Sequence, residues 1–184
     1  MRRRKISLVA LTVGLLLSPL MVTARVQQRD MKAVEQALRD EIPSVVCLNE
    51  KFATAGQPKD GAYAKLAQQG FRAVLNLRTA EEGAEQERVQ VEKAGLRYIN
   101  IPVVSANPNP EKVPEFIKAV KDSTNQPMLI HCAGAQRVGA FWMIYRVIDQ
   151  GWSEEKAMEE ATRIGLTRSN LIKFAKDYIA SHRK

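Results

Sequence analysis

His131-Cys132-Ala133-Gly134-Ala135-Gln136-Arg137 puts a thiol and a guanidinium at the two ends of a run of small residues. The apolar stretch Pro127-Met128-Leu129-Ile130 before it has the composition of a buried strand, and Val138 to Gln150 after it has that of a helix ending at Gly151. A strand, a tight loop and a helix N-terminus together make an anion site, because backbone N–H groups converge there and the helix dipole adds partial positive charge. A cysteine in such a place is predisposed to ionise, and the thiolate is the nucleophilic form. The planar fork of Arg137 suits two oxygens of a tetrahedral oxyanion. The expectation is a nucleophile, Cys132, inside an oxyanion cradle formed by Ala133, Gly134, Ala135, Gln136 and Arg137. The competing reading is a small buried thiol that only packs, and for His131 a strand-end histidine bonded to backbone.

The elements that must position this loop follow from periodicity and punctuation. Met31, Val34, Leu38 and Ile42 predict an amphipathic helix over residues 29–41, capped by Asp30. Ser44-Val45-Val46-Cys47 predicts a strand, and Phe52-Ala53-Thr54-Ala55-Gly56-Gln57-Pro58 a turn marked by glycine and proline. A helix over about residues 60–69 stops at Gly70. Phe71 to Leu77 is the next expected strand. Thr79 and Glu82 form a capping box for a helix running to Gly95. A strand lies within Leu96 to Val104, followed by the loop 105–110. A helix then starts near Lys112, with Pro114 in its first turn and Val113, Phe116, Ile117 and Val120 on one face. Ser153 caps a helix closed by Gly165, with Trp152 and Ala157 as a hydrophobic staple, and Thr167 begins a last helix with Leu171, Phe174, Ala175 and Tyr178 inward. Strands alternating with helices, then helices alone, predict an α/β sandwich with a mostly parallel sheet.

The chain has 184 residues, 45% hydrophobic and 26% charged, within the range of a globular domain. Arg2, Arg3, Arg4 and Lys5 supply four of the eight net positive charges, and residues 1–24 hold no acid, so the rest carries +4. That suits an anionic small substrate, while no basic stripe interleaved with aromatics argues for nucleic acid. Residues 1–24 have the pattern of an export signal: a basic start, an apolar run from Ile6 to Val22, and the small residues Val22-Thr23-Ala24 before Arg25. This predicts a periplasmic or secreted protein without a stable membrane span. The alternative is an uncleaved anchor, but Ser7, Thr12, Gly14, Ser18 and Pro19 dilute the run and it is shorter than the roughly 20 apolar residues of a spanning helix. The expected organisation is a signal at 1–24, a lead-in helix or linker at 25–43, and one domain at 44–184. Cys47 and Cys132, the two cysteines present, could pair in an oxidising compartment; a buried strand position for Cys47 is the preferred reading. Neither a metal nor a cofactor is implied by two histidines and two cysteines.

Several motifs in order give the chain a family likeness. Ala55-Gly56-Gln57-Pro58, Val74-Leu75-Asn76-Leu77-Arg78 with Glu81 and Glu82, and Tyr98 to Pro102 come first. His131-Cys132 through Arg137-Val138-Gly139 follows, then Gly151-Trp152-Ser153 with Ala157, Ala161 and Gly165-Leu166. Over roughly Val46 to Ala180 the chain resembles the beta-lactamase-hydrolase-like phosphatase domain family, a branch of the cysteine-dependent dual-specificity and tyrosine phosphatase superfamily. The resemblance implies a three-layer phosphatase-like sandwich and hydrolysis of phosphate monoesters, aryl phosphates such as phosphotyrosine included. Cys132 would attack phosphorus to give a cysteinyl-phosphate that water then hydrolyses. Arg137 and the amides of Ala133 to Gln136 would hold the phosphoryl oxygens. His131 would orient and help acidify the thiol. Arg78 and Gln57, both where strand gives way to loop, are candidates to bind substrate at the pocket mouth, with plain surface residues as the equal alternative. The implied partner is a phosphorylated small molecule or phosphoprotein.

Three departures from the superfamily pattern bear on mechanism. Four residues, not five, separate Cys132 from Arg137, so the cradle is smaller. Val138 stands where a Ser or Thr usually helps the thiolate leave. Residues 101–110 contain no Asp or Glu to serve as general acid. Loss of such an acid costs roughly 10²–10⁴-fold, so aryl phosphates should be better substrates than alkyl phosphates. The short gap also resembles rhodanese-type sulfurtransferases, in which Cys132 would carry a persulfide and need no general acid. A catalytically weak oxyanion-binding domain is the third reading.

Overall fold

The computed structural model of the chain describes residues 29–183; the expected export signal at 1–24 lies outside them. Five strands form one sheet: β1 (Val46–Cys47), β2 (Phe52–Ala55), β3 (Ala73–Asn76), β4 (Arg97–Asn100) and β5 (Met128–His131). Their order is β1-β2-β5-β3-β4. β2, β5, β3 and β4 are parallel, and β1 runs antiparallel at the edge beside β2. The helices are α1 (Met31–Leu38), α2 (Ala62–Gln68), α3 (Ala84–Lys93), α4 (Lys112–Lys121), α5 (Gln136–Ile148), α6 (Glu154–Ile164) and α7 (Ser169–His182).

Successive side chains on a strand point to opposite faces, and the two faces of this sheet feed two separate cores. Ala73, Leu75, Met128 and Ile130 bury with Phe116, Phe141, Trp142, Ala157 and Leu171 of the helices α4 to α7. Val74, Leu129, Ala53 and Tyr98 bury with Val34, Leu38, Leu66 and Val91 of α1, α2 and α3. The result is the expected three-layer α/β sandwich with a mostly parallel sheet. The inner parallel strands β2, β5 and β3 are buried on both faces, as crossover helices require, while β4 at the edge is partly exposed.

Four sequence expectations need correction. Phe52-Ala53-Thr54-Ala55 is not part of a turn but strand β2, fully buried between β1 and β5. Its alanines fit because α1 and α2 lie close over that face, and the glycine and proline that suggested a turn come only afterwards. The helix from Thr79 is two pieces: a 3-10 turn at Ala80–Glu82, then Gly83 in the left-handed region (φ 88°), then α3. The expected box survives, with the Thr79 amide donating to Glu82 Oε2 at 2.9 Å. The helix after the anion loop begins at Gln136, two residues earlier than periodicity placed it, so Gln136 and Arg137 belong to its first turn. The last helix starts at Ser169, because the Thr167 amide is taken by Gln136 Oε1. Other caps form as read: Asp30 accepts from the Lys32 and Ala33 amides, and Ser153 accepts from Lys156.

Cys47 and Cys132 are both free thiols. Cys47 pairs with Ala53, which pairs with Leu129. Cys132 is therefore two strands across and three residues further along, about 10 Å in each direction, beyond the Cα separation a disulfide spans.

Candidate active site

The four parallel strands all end on one edge of the sheet, at Ala55, Asn76, Asn100 and His131. The loops that follow them converge around β5, the central strand, which is where open α/β sheets bind ligands. The loop from Cys132 to Ala135 is fixed on both sides. The Gln57 amide donates to the Ala133 carbonyl at 3.1 Å, and Gly56 bridges to Gly134. A Cβ on Gly56 would stand 3.2 Å from that same carbonyl, so a glycine lets the end of β2 lie against the loop. Ala135 is left-handed (φ 60°) and leads directly into α5. Gly139 Cα faces the α6–α7 turn so closely that a Cβ would meet Leu166 Cβ at 2.8 Å.

Strand alternation sends the two chemically active neighbours to opposite faces. Cys132 is 1% exposed and packs on the core beneath α5, while Ala133 and Gly134 above it are exposed. Arg137 is buried and its guanidinium is anchored through its two terminal nitrogens: NH1 donates to Val103 O at 2.8 Å and Leu77 O at 3.2 Å, and NH1 and NH2 each reach a Glu82 oxygen at 2.6 Å. Burial opposes the charge of Arg137, but the Glu82 hydrogen bonds, with Cys132 and Glu82 as nearby negative partners, outweigh it and keep the guanidinium protonated. In return, the Arg137 hydrogen bond pulls Glu82 down to about 2. Glu82 is thus a carboxylate at any working pH and cannot act as a general acid.

His131 turns to the other face, towards α3. Its Nε2 lies 2.6 Å from Glu87 Oε1, with the two side chains 0% and 3% exposed. Glu87 Oε2 accepts from Asn76 Nδ2 at 3.0 Å, Arg78 NH1 at 3.1 Å and Gln57 Nε2 at 3.2 Å. Arg78 NH1 also donates to Gln57 Oε1 at 2.6 Å. Arg78 and Gln57 are therefore joined to each other and to Glu87, and with Lys59, Asp60 and Tyr63 they line a polar cavity of about 480 Å³ to which residues 132–137 contribute no wall. Gln136, at the first turn of α5, turns to the α6–α7 connection: Oε1 accepts from the Thr167 and Arg168 amides and Nε2 donates to the Thr167 hydroxyl. Arg168 and Asn170 in turn tie down Ser105, at the head of the acid-free loop 105–110.

Sequence reasoning did not find Glu82 as the partner of Arg137 or Glu87 as the partner of His131. Glu82 was legible only as a cap. Glu87 had a signal in polar residues on buried strands, since Asn76, Tyr98 and His131 all face α3 once the register is known. Among the described residues no group of histidine, cysteine and carboxylate side chains has the arrangement of a metal site.

The fold is that of the dual-specificity and tyrosine-type phosphatases. Its solved counterparts include the core catalytic domain of the PP-IP phosphatase SIW14 from S. cerevisiae in complex with citrate (TM-score 0.64, 20% identity, 74% of this chain and 85% of that one). TpbA from P. aeruginosa in complex with pTyr is another (TM-score 0.61, 19% identity, 76% and 85%). In sequence, the chain belongs to the family described as DSP-PTPase phosphatase fused to NAD+ kinase, whose model matches residues 25–177. It is 29% identical over 110 residues to a beta-lactamase hydrolase-like protein of Xylella fastidiosa, covering 57% of this chain and 25% of that protein. It is 26% identical over 97 residues to the dual specificity protein phosphatase TpbA of Pseudomonas aeruginosa, covering 52% and 44%. The chain thus spans less than half the length of either relative.

Proposed function

We propose that the protein is a cysteine-dependent phosphoric monoester hydrolase, with Cys132 the nucleophile and Arg137 the principal oxyanion-binding side chain. The observation that carries this reading is the buried guanidinium of Arg137, held by Glu82, Leu77 O and Val103 O in the first turn of α5, at the other end of the short loop that begins with Cys132. A cation so fixed needs no reorganisation when charge develops on a bound phosphoryl group. The thiolate attacks phosphorus, the P–O bond to the leaving group breaks, and a cysteinyl-phosphate forms. Water then cleaves the P–S bond, releasing inorganic phosphate and restoring the thiolate.

The leaving group departs without help from a carboxylic acid of loop 101–110, which has none, or from Glu82, which stays ionised. Substrates with weakly basic leaving groups, aryl phosphates such as phosphotyrosine among them, fit this site best. The test is phosphate release from 4-nitrophenyl phosphate by the reduced protein. Activity lost in Cys132→Ser and reduced at least 100-fold in Arg137→Ala, with a phosphorylated Cys132 trapped at low pH, supports the reading. Thiocyanate formation from thiosulfate and cyanide without phosphate release would replace it with sulfur transfer. Phosphate binding with neither reaction would leave an oxyanion-binding domain. We also propose that residues 1–24 direct export, to be checked by the N-terminal sequence of protein recovered outside the cytoplasm.

A further inference from the structure

Glu87 belongs to no part of the mechanism above, yet it is the most heavily bonded carboxylate among the described residues. It comes from α3, is 4% exposed, and accepts from His131, Asn76, Gln57 and Arg78. A carboxylate buried to this degree persists only when its charge is compensated. Here burial would raise its proton affinity, but the bonds from His131 and Gln57 win and keep it ionised. An ionised carboxylate only accepts hydrogen bonds, so the nitrogen 2.6 Å away, His131 Nε2, must carry a proton.

Nδ1 of the same ring is buried and has no partner in the protein. An unpaired buried polar atom is costly, so the ring's orientation is not set from that side. Glu87 is the ring's hydrogen-bond partner and sets its tautomer, while sheet pairing with Ala55 and Asn76 holds the backbone of this residue immediately before the nucleophile.

The groups around this pair narrow what can change with pH. On the side of α2, Tyr63 faces Glu87, and burial keeps its phenol protonated. On β4, burial and then Glu87 push Tyr98 up to about 12; its hydroxyl donates to Ala84 O and accepts from Asn76. From the end of β3, Arg78 brings a permanent positive charge. On β5 itself, the neighbours are Cys132 and, across the loop, Arg137.

We propose that Glu87 is a positioning residue for Cys132: by binding Nε2 of His131 it holds the ring of the residue before the nucleophile in the Nε2–H form and in one orientation, and so lowers the pH at which the thiolate forms. This rests on Cys132 being the nucleophile, but the main readout does not require phosphatase activity. The rate of Cys132 carboxamidomethylation by iodoacetamide, followed by peptide mass spectrometry across pH 5–9, reports thiolate formation directly. In Glu87→Gln the amide either turns its NH₂ to three donors or forces Nε2 to accept, and we expect the pH midpoint to rise by at least half a unit, a roughly threefold slower reaction at pH 6. His131→Asn should raise it similarly, and Glu87→Gln on the His131→Asn background should add nothing. The wild type supplies a measurement free of folding effects: nitrogen-15 NMR of labelled histidine should show the Nε2–H form for His131. An Nδ1–H tautomer, an unchanged midpoint in folded Glu87→Gln, or an equal shift in the absence of His131 would each overturn the proposal. Failure of 4-nitrophenyl phosphate hydrolysis in the wild type, with these shifts intact, would instead count against the hydrolase reading alone.

Discussion

Replacing Glu82 with glutamine tests the ion pair that fixes Arg137, in both stability and rate. The carboxylate makes two 2.6 Å contacts to the guanidinium and caps the turn at Thr79. Its fall from an ordinary 4.5 to about 2 is worth roughly 3 kcal/mol if fully linked to folding. That is a ceiling: the Glu82 side chain is 34% exposed, and water screens such pairs strongly. About 1.5 kcal/mol at pH 7 is the expected loss in Glu82→Gln, or a melting temperature lower by roughly 3–6 °C for a domain of this size. The sign with pH is determined. A depressed folded-state value stabilises above the unfolded value and loses that stabilisation as pH falls through the folded one. The gap between wild type and variant should therefore be full at pH 6–7, shrink below about 4.5 and close near 2. Urea unfolding of both proteins at pH 7, 5, 3.5 and 2.5 measures it. The turnover number should fall about tenfold, because Arg137 keeps only its bonds to Leu77 O and Val103 O. Equal stability at pH 7, or a gap that does not narrow towards pH 2.5, would refute the argument.

Three further outcomes are expected. Gln136→Ala removes three hydrogen bonds to Thr167 and Arg168; it should cost about 1 kcal/mol and speed hydrogen exchange at those two amides. Gly139→Ala would press a methyl onto Leu166 Cβ and Ala161 O, at 2.8 and 3.0 Å, and should lose roughly 1–3 kcal/mol in chemical denaturation. Cys47, pushed up to about 11 by burial and by Glu35, should stay unmodified by iodoacetamide at pH 7.5 under conditions that label Cys132, as peptide mapping would show.

Much of the architecture could be read from the chain because each signal was local. Asp30, Ser153 and the glycines after α2, α3 and α6 mark helix ends through their own backbone and side-chain chemistry. Strand β2 was hidden, since two alanines and a threonine carry no hydrophobic run and are buried only because helices cover them. The nucleophile loop was legible for the same local reason as the caps: strand, small residues, arginine. Its supports were not. Glu82 and Glu87 reach Arg137 and His131 across 55 and 44 residues of chain, and the sheet register decides that meeting. Gln57 and Arg78 were each legible as residues where strand gives way to loop, but not their bond to each other or their shared attachment to Glu87.

The loop after β5 has little freedom left to lose. Its entry hangs from the end of β2 through Gln57 and Gly56, its exit is already the first turn of α5, and its closing arginine is tethered to Leu77 O, Val103 O and both oxygens of Glu82. An arriving oxyanion thus meets donors whose ordering was accomplished when the chain folded. Calorimetry of inorganic phosphate binding should accordingly show a heat capacity change close to zero, since almost no apolar surface changes its hydration. By the same logic, substitutions at Gly56, far from any reacting atom in the sequence, should weaken anion affinity as much as substitutions in the loop itself.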